Sequence, residues 1–225
     1  MASLRDAAAA EDAPLVFLHS EDIFRFERTK VSIEPKALKV IKASRHPVLS
    51  MVGGNGHNSF GLIDFDPPLD FIHPDFPDRH GQPKARMTPM VQVSKAIARK
   101  APKWLRAFEA LCTALPDRVI QLGSPPPIGD DDWLAHRLKG KMRQAGVKSY
   151  SVMPAGMRYK MWRLDDAMYR EIGGRHGASY LAAPEAGADA DGYLKTEYWR
   201  DPTHANTDYG RLWLDTLRQA DVPPL

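Results

Sequence analysis

The sequence predicts an α/β protein with three layers, in which helices cover both faces of a mostly parallel sheet. Two observations support this fold class. Short apolar runs bounded by glycine or proline alternate with longer segments whose apolar residues recur at helical spacing. The 225 residues also suffice for one domain with a sizeable core, and they show neither an internal repeat nor a second-domain boundary.

The amino-terminal part of the chain contains short and weakly patterned elements. Residues 1–13 are rich in alanine and acidic residues, so we expect a loose tail before a single domain over residues 14–225. The apolar run at residues 15–18 predicts a strand. Residues 23–26 and 30–33 alternate weakly and could form edge strands or extended loops.

Three apolar runs predict the core of the sheet. They lie at residues 48–52, 118–122 and 178–182, and each is followed by glycine or proline. Residues 64–90 contain six prolines and few periodic apolar positions, which indicates a long surface excursion of the kind that often forms a lid or a binding loop. Helices are predicted from Pro35 onward and over residues 90–100, 103–115, 131–145, 159–172 and 209–220.

The composition bounds the class of protein. An apolar fraction of 43% and a charged fraction of 26% are typical of a globular protein. The net charge of +3 comes without a long Lys/Arg run, so we expect no nucleic-acid partner. No apolar stretch approaches the roughly 18 residues that span a bilayer, so we expect no membrane partner. Cys112 is the single cysteine, which fits a reducing compartment and a cytoplasmic protein.

The first strand of the predicted core runs directly into a glycine-rich loop at residues 53–58, with the sequence Gly-Gly-Asn-Gly-His-Asn. Glycines such as Gly53 and Gly54 let the backbone turn sharply and approach a ligand closely. The Asn55 amide could donate a hydrogen bond to a developing oxyanion. We therefore expect Gly53, Gly54 and His57 to bind substrate. The alternative is a plain Gly/Asn turn between strand and helix.

A second loop precedes the last predicted helix and has the sequence Asp201-Pro-Thr-His204. An aspartate three residues before a histidine can fold back to accept a hydrogen bond from one imidazole nitrogen. This contact fixes the tautomer and supports the imidazolium that forms when the other nitrogen takes a proton. The alternative is an Asp-Pro turn that carries a surface histidine.

The two loops, in this order, resemble the SGNH (GDSL) hydrolase family. Gly-Gly-Asn matches that family's Gly-x-Asn block and Asp-x-x-His matches its last block, and the resemblance covers residues 47–215. It implies a three-layer, flavodoxin-like fold and an acyl ester hydrolase of the esterase or deacetylase type, acting on a small-molecule or carbohydrate ester without a cofactor. It also implies His204 as general base, Asp201 as its orienting acid and Asn55 as oxyanion donor.

The family's nucleophile lies in a Gly-Asp-Ser block, and that block is not found here because no glycine precedes Gly53. Ser20, which follows the run at residues 15–18, is the one serine in a comparable local setting. In another alignment, residues 15–18 are the second strand or a connecting segment, and the first strand with its nucleophile is missing. The protein would then be a truncated or non-catalytic relative that binds a saccharide or a protein.

Two further features have a functional and a structural interpretation. No pair among the eight histidines has the His-x-x-x-His spacing of a helical metal site, so we expect no metal. Arg158 begins a run, residues 158–163, that mixes cations with aromatic side chains. This run could be an amphipathic helix, or it could form a subsite in which Arg158 binds an anionic or sugar group.

Overall fold

A computed structural model of the chain describes residues 2–53, 56–78, 83–100 and 102–220. Its helices are α1 (Ala2–Ala10), α2 (Ser20–Ile23), α3 (Pro35–Ala43), α4 (Gly56–Gly61), α5 (Met90–Lys100), α6 (Pro102–Ala114), α7 (Asp131–Gln144), α8 (Ala155–Gly174) and α9 (Thr207–Gln219). Its strands are β1 (Phe24–Phe26), β2 (Val31–Ile33), β3 (Val48–Ser50), β4 (Leu69–Asp70), β5 (Arg86–Met87), β6 (Val119–Leu122), β7 (Ser179–Leu181), β8 (Trp199–Asp201) and β9 (His204–Ala205).

A parallel sheet of three strands, in the order β3-β6-β7, forms the centre of the molecule. Val48 pairs with Val119, and Ile120 pairs with Ser179, so β6 lies between the other two strands. Helices connect each strand to the next one in the sheet. Because the strands are parallel, their carboxyl ends lie at one edge, and the loops after β3 and β6 are neighbours there.

Side chains of the central strands alternate between the two faces of the sheet. Leu49 and Leu122 pack on one face, in a core that includes residues of α1 and α9. Val48 and Val119 pack on the other face, in a core that includes residues of α6. The architecture is therefore mixed α/β and consistent with three layers, which confirms the fold class that the sequence predicted.

Most of the predicted elements are present, and the strands are shorter than their apolar runs. Residues 23–26 and 30–33, which could have been strands or loops, contain the antiparallel hairpin of β1 and β2. Helix α7 begins after Asp130, whose carboxylate accepts the backbone N–H of Trp133 at 2.8 Å. Local apolar patterns and capping residues thus locate the longer helices and the three strands of the central sheet.

The expectation of a loose tail at residues 1–13 is wrong, because α1 packs along α9. Leu4 and Ala7 are buried in this contact. Gly210 of α9 allows the close approach, since a Cβ atom there would lie 2.0 Å from the carbonyl oxygen of Ser3. An alanine-rich segment shows no strong apolar stripe, but its small side chains let two helices pack closely.

The strand predicted at residues 15–18 is also absent. This segment has no regular secondary structure and joins no sheet. Leu15 and Phe17 pack against the core on one side, whereas Val16 is 89% exposed. The alternation that suggested a strand therefore reflects a segment that lies along the surface of the core without a partner strand.

A buried ion pair connects the proline-rich excursion at residues 64–90 to α8. Lys160 Nζ contacts the Asp70 carboxylate and donates a hydrogen bond to the carbonyl oxygen of Phe71 at 2.7 Å. Both charged side chains are buried. Residues 79–82 of the excursion lie outside the described residues. The contacts at Asp70 and Phe71 thus join one point of the excursion to the interior.

Lys160→Met is expected to lower the free energy of unfolding by about 3–5 kcal/mol, because it leaves the buried Asp70 carboxylate without its cation. Arg25→Ala is the control, since the Arg25–Glu34 pair is exposed and should contribute less than about 1 kcal/mol. Urea denaturation measures both. An equal loss in the two variants would contradict the role of the buried pair.

Candidate active site

The Asp-x-x-His motif forms a tight hairpin between β8 and β9, in which Asp201 and His204 are paired residues. The Asp201 carboxylate accepts the backbone N–H of Thr203 at 2.8 Å and that of His204 at 3.1 Å. Its second oxygen lies 2.9 Å from Nδ1 of the His204 ring. The carboxylate therefore orders both the turn and the imidazole.

The hydrogen bonds around Asp201 favour its ionised form. Partial burial by itself would raise the pKa of Asp201, but bonds from the Thr203 backbone, the His204 ring and the Thr203 hydroxyl hold that pKa below its ordinary value. An ionised carboxylate only accepts hydrogen bonds, so His204 Nδ1 carries the proton and Nε2 is left to accept one. The His204 side chain is 47% exposed, so Nε2 can exchange a proton with a bound molecule.

Asp201 and His204 line a shallow cleft together with residues from the loops that follow β3 and β6. Asn58 comes from α4, directly after the turn that follows β3, and residues 125–127, all prolines, come from the loop after β6. Asn58, the last residue of the glycine-rich segment, therefore lies at the same cleft as Asp201 and His204. The volume of the cleft is about 10 Å³, far below the roughly 300–1,000 Å³ of ordinary ligand pockets.

The glycine-rich turn after β3 is described only in part. Gly54 and Asn55 lie outside the described residues, so their roles stay predictions. Gly53 has a φ of 73°, and a Cβ atom on it would lie 1.5 Å from the Tyr169 hydroxyl. The turn closes through the Gly56 N–H, which donates to the carbonyl oxygen of Gly53 at 2.6 Å. Gly53 is required by backbone conformation and by packing on the interior.

His57, which we expected to contact substrate, faces the interior instead. Its side chain is 3% exposed, and Nδ1 lies 3.4 Å from the Ser124 hydroxyl and 3.9 Å from a carboxylate oxygen of Asp165. Burial lowers the pKa of His57 to about 3, so the ring is neutral near neutral pH. A catalytic Ser-His-Asp relay uses both ring nitrogens, whereas here one nitrogen faces both partners. The contacts of His57 thus join α4 to the loop after β6 and to α8.

Two adjacent carboxylic acids on α8, Asp165 and Asp166, were not among the residues that we predicted from the sequence. Burial, with Coulombic repulsion from Asp166, raises the pKa of Asp165 to about 7, and burial raises that of Asp166 to about 6. Asp165 lies between Met161 and Tyr169 at a spacing of four residues. A charged residue inside an apolar helical stripe is the signal that could have found it.

Ser20 is not brought to the cleft. It begins α2 and lines a separate apolar groove of about 500 Å³ beside β3. Among the residues that the structure describes, the lining of this groove shares none with the cleft at His204. Among the side chains that the structure describes, no serine hydroxyl is hydrogen-bonded to the His204 ring. The structure gives no support to Ser20 as the nucleophile.

The prediction that Arg158 forms a ligand subsite is wrong, because protein groups enclose its guanidinium group. Nε and Nη2 donate to the carbonyl oxygen of Ile128 at 3.2 and 2.6 Å, and Nη1 donates to Asp131 at 2.7 Å. Ile128 itself lines the cleft. Arg158 therefore supports a wall of the cleft and does not present a cation to an anionic or sugar group.

The part of the chain that the structure describes contains neither a candidate metal site nor a candidate membrane-spanning helix. No three His, Cys, Asp or Glu side chains in these residues are grouped as a metal ion would require. No helix within the same ranges is long and apolar enough to cross a membrane.

Comparisons with known proteins give little further information. No known family profile matches the chain, and no curated protein matches it. Among solved structures, the chain is similar to a protein from Streptococcus pneumonia that is described, provisionally, as a platelet activating factor. The match covers 56% of this chain and 55% of that one, so it spans about half the neighbour's length, with 17% identity and a TM-score of 0.37. A likeness of this degree carries no argument about family or activity.

Gly53→Ala is expected to lower the free energy of unfolding by more than about 2 kcal/mol, because it places a Cβ atom against Tyr169 at a positive φ. Gly140→Ala in α7 is the matched control. A Cβ atom there meets nothing within 4 Å, so this change should raise the free energy by about 0.5–1 kcal/mol. Chemical denaturation followed by circular dichroism compares the two. A loss below about 0.5 kcal/mol at Gly53 would contradict the tight turn.

Proposed function

We propose that the chain is an SGNH-like acyl ester hydrolase of the esterase or deacetylase type. The observation that carries the proposal is the 2.9 Å contact between His204 Nδ1 and the Asp201 carboxylate. In such a pair the carboxylate fixes the tautomer of the imidazole and stabilises the imidazolium that forms during reaction. The substrate we propose is a small-molecule or carbohydrate ester, met in the cytoplasm and cleaved without a cofactor.

In the proposed reaction, His204 Nε2 takes the proton from an attacking hydroxyl group as that group adds to the ester carbonyl. Asp201 stabilises the positive charge that results on the ring. Negative charge develops on the carbonyl oxygen, and we assign the Asn55 amide as the donor that stabilises it. The proton then passes from Nε2 to the departing alkoxide.

The attacking hydroxyl belongs either to a serine or to water. Ser20 lines a different groove and is not our choice. The Thr203 hydroxyl contacts His204 Nδ1 at 2.9 Å and donates to Asp201 at 3.0 Å, so it lies on the orienting side of the ring. A water molecule activated by His204 would react without a covalent intermediate, and far more slowly than a complete triad.

A second candidate function is that of a non-catalytic relative which binds a saccharide or a protein. One observation favours it: among the described side chains, no serine hydroxyl is bonded to the His204 ring. Asp201 and His204 would then serve as hydrogen-bonding groups for the ligand.

Hydrolysis of p-nitrophenyl acetate should fall by about 10²- to 10⁴-fold in kcat on His204→Ala, because the general base is lost. Asp201→Asn should also lower kcat strongly, since the ring loses the acceptor that fixes its tautomer. His136→Ala is the matched control, because His136 is an exposed imidazole on α7. That variant should retain the wild-type rate.

A fluorophosphonate probe separates the possible outcomes. One serine adduct that requires His204 would show covalent hydrolysis, whereas His204-dependent hydrolysis without an adduct would show the water route. Equal hydrolysis by the wild type and His204→Ala would contradict the enzyme proposal. Saccharide binding measured by calorimetry, with neither hydrolysis nor an adduct, would support the second candidate.

A further inference from the structure

A buried carboxyl group lies against the start of α4, where the turn that follows β3 ends. Asp165 of α8 is 4% exposed. One of its oxygens accepts the backbone N–H of His57 at 3.3 Å. A Cβ atom on Gly56 would lie 3.1 Å from both of its oxygens. Gly56 and His57 therefore rest against this carboxyl group without space between them.

The groups that face Asp165 leave its negative charge poorly compensated. The His57 ring comes from α4 and is neutral, because burial lowers its pKa to about 3. Asp166 and Tyr169 come from α8 itself, and neither supplies positive charge. The pKa of Asp165 is consequently raised to about 7, by burial first and by repulsion from Asp166 second. A carboxyl group whose pKa is raised in this way is in direct contact with the start of α4.

We infer that Asp165 is the positioning residue for the turn between β3 and α4, and that its ionisation sets how firmly this turn is held. An ionised carboxylate accepts an N–H more strongly than a neutral acid does, so the bond to His57 is stronger above neutral pH than below it. The chain between Gly53 and Gly56 carries Asn55, our proposed oxyanion donor. The consequence for hydrolysis rests on the function proposed above, but the consequence for the turn does not.

The test is the pH dependence of the His57 backbone amide in ¹⁵N–¹H correlation spectra of the full chain. In the wild type this resonance should titrate with a midpoint near pH 7, because burial and repulsion from Asp166 raise the pKa of Asp165 to about 7. Asp165→Asn should abolish that titration. Asp166→Asn should keep it and move the midpoint to lower pH, because the repulsion between the two carboxyl groups is gone. The His57 ring cannot mimic this behaviour, since it titrates far lower.

Three outcomes would overturn the inference: a His57 amide that does not titrate between pH 5 and 9, a titration that survives in Asp165→Asn, or a midpoint unmoved by Asp166→Asn. If Asp165→Asn fails to fold, the wild type and Asp166→Asn still decide it. If the wild type hydrolyses esters, Asp165→Asn should lower kcat by about tenfold or more and leave KM nearly unchanged, as expected for a misplaced group. If the His57 amide titrates but the protein hydrolyses no ester, the proposed function is contradicted and the positioning role of Asp165 still holds.

Discussion

The polar side chains of α8 hold the loops around the candidate site, and the rest of the arrangement depends on these contacts. Each is buried, so each would be costly if its partner were lost. The contacts join α8 to the loop after β6, to the proline-rich excursion and to the turn after β3: Arg158 to Ile128, Trp162 to Ser124, Lys160 to Asp70, and Asp165 to His57. One helix thereby sets the mutual positions of three segments that are distant in sequence.

The parallel sheet supplies the other half of this arrangement. It places the carboxyl ends of β3 and β6 side by side, so the loops that follow them reach the same edge. The hairpin of β8 and β9 then brings Asp201 and His204 to the cleft that these loops line. The hairpin alone therefore positions Asp201 and His204 relative to each other. The sheet and α8 position the loops around them.

How much of this could be predicted from the sequence follows from the range of the interactions involved. The strands and helices depend on local apolar patterns and capping residues, and most of them were predicted. The Asp201–His204 contact spans three residues, so the sequence alone could suggest it. The family resemblance and the roles drawn from it, including that of Asn55, stay predictions.

The errors arose where contacts join distant parts of the chain. His57 looked like a ligand-binding residue on a glycine-rich loop, but its neighbours Ser124 and Asp165 lie 67 and 108 residues away. Arg158 could have formed a subsite for an anionic or sugar group, but the carbonyl oxygens of Ile128 and Met153 accept its hydrogen bonds. Residues 1–13 were expected to form a loose tail, because the packing of α1 depends on Gly210 in α9. No local pattern encodes such pairings.

The central claim is that Asp201 fixes His204 with its proton on Nδ1 and leaves Nε2 to accept a proton. The most direct measurement is ¹⁵N NMR of the His204 ring at a pH where the ring is neutral, in the wild type and in Asp201→Asn. We predict a ring protonated at Nδ1 in the wild type, with this preference lost in Asp201→Asn. A wild-type ring protonated mainly at Nε2, and unchanged by Asp201→Asn, would contradict the account.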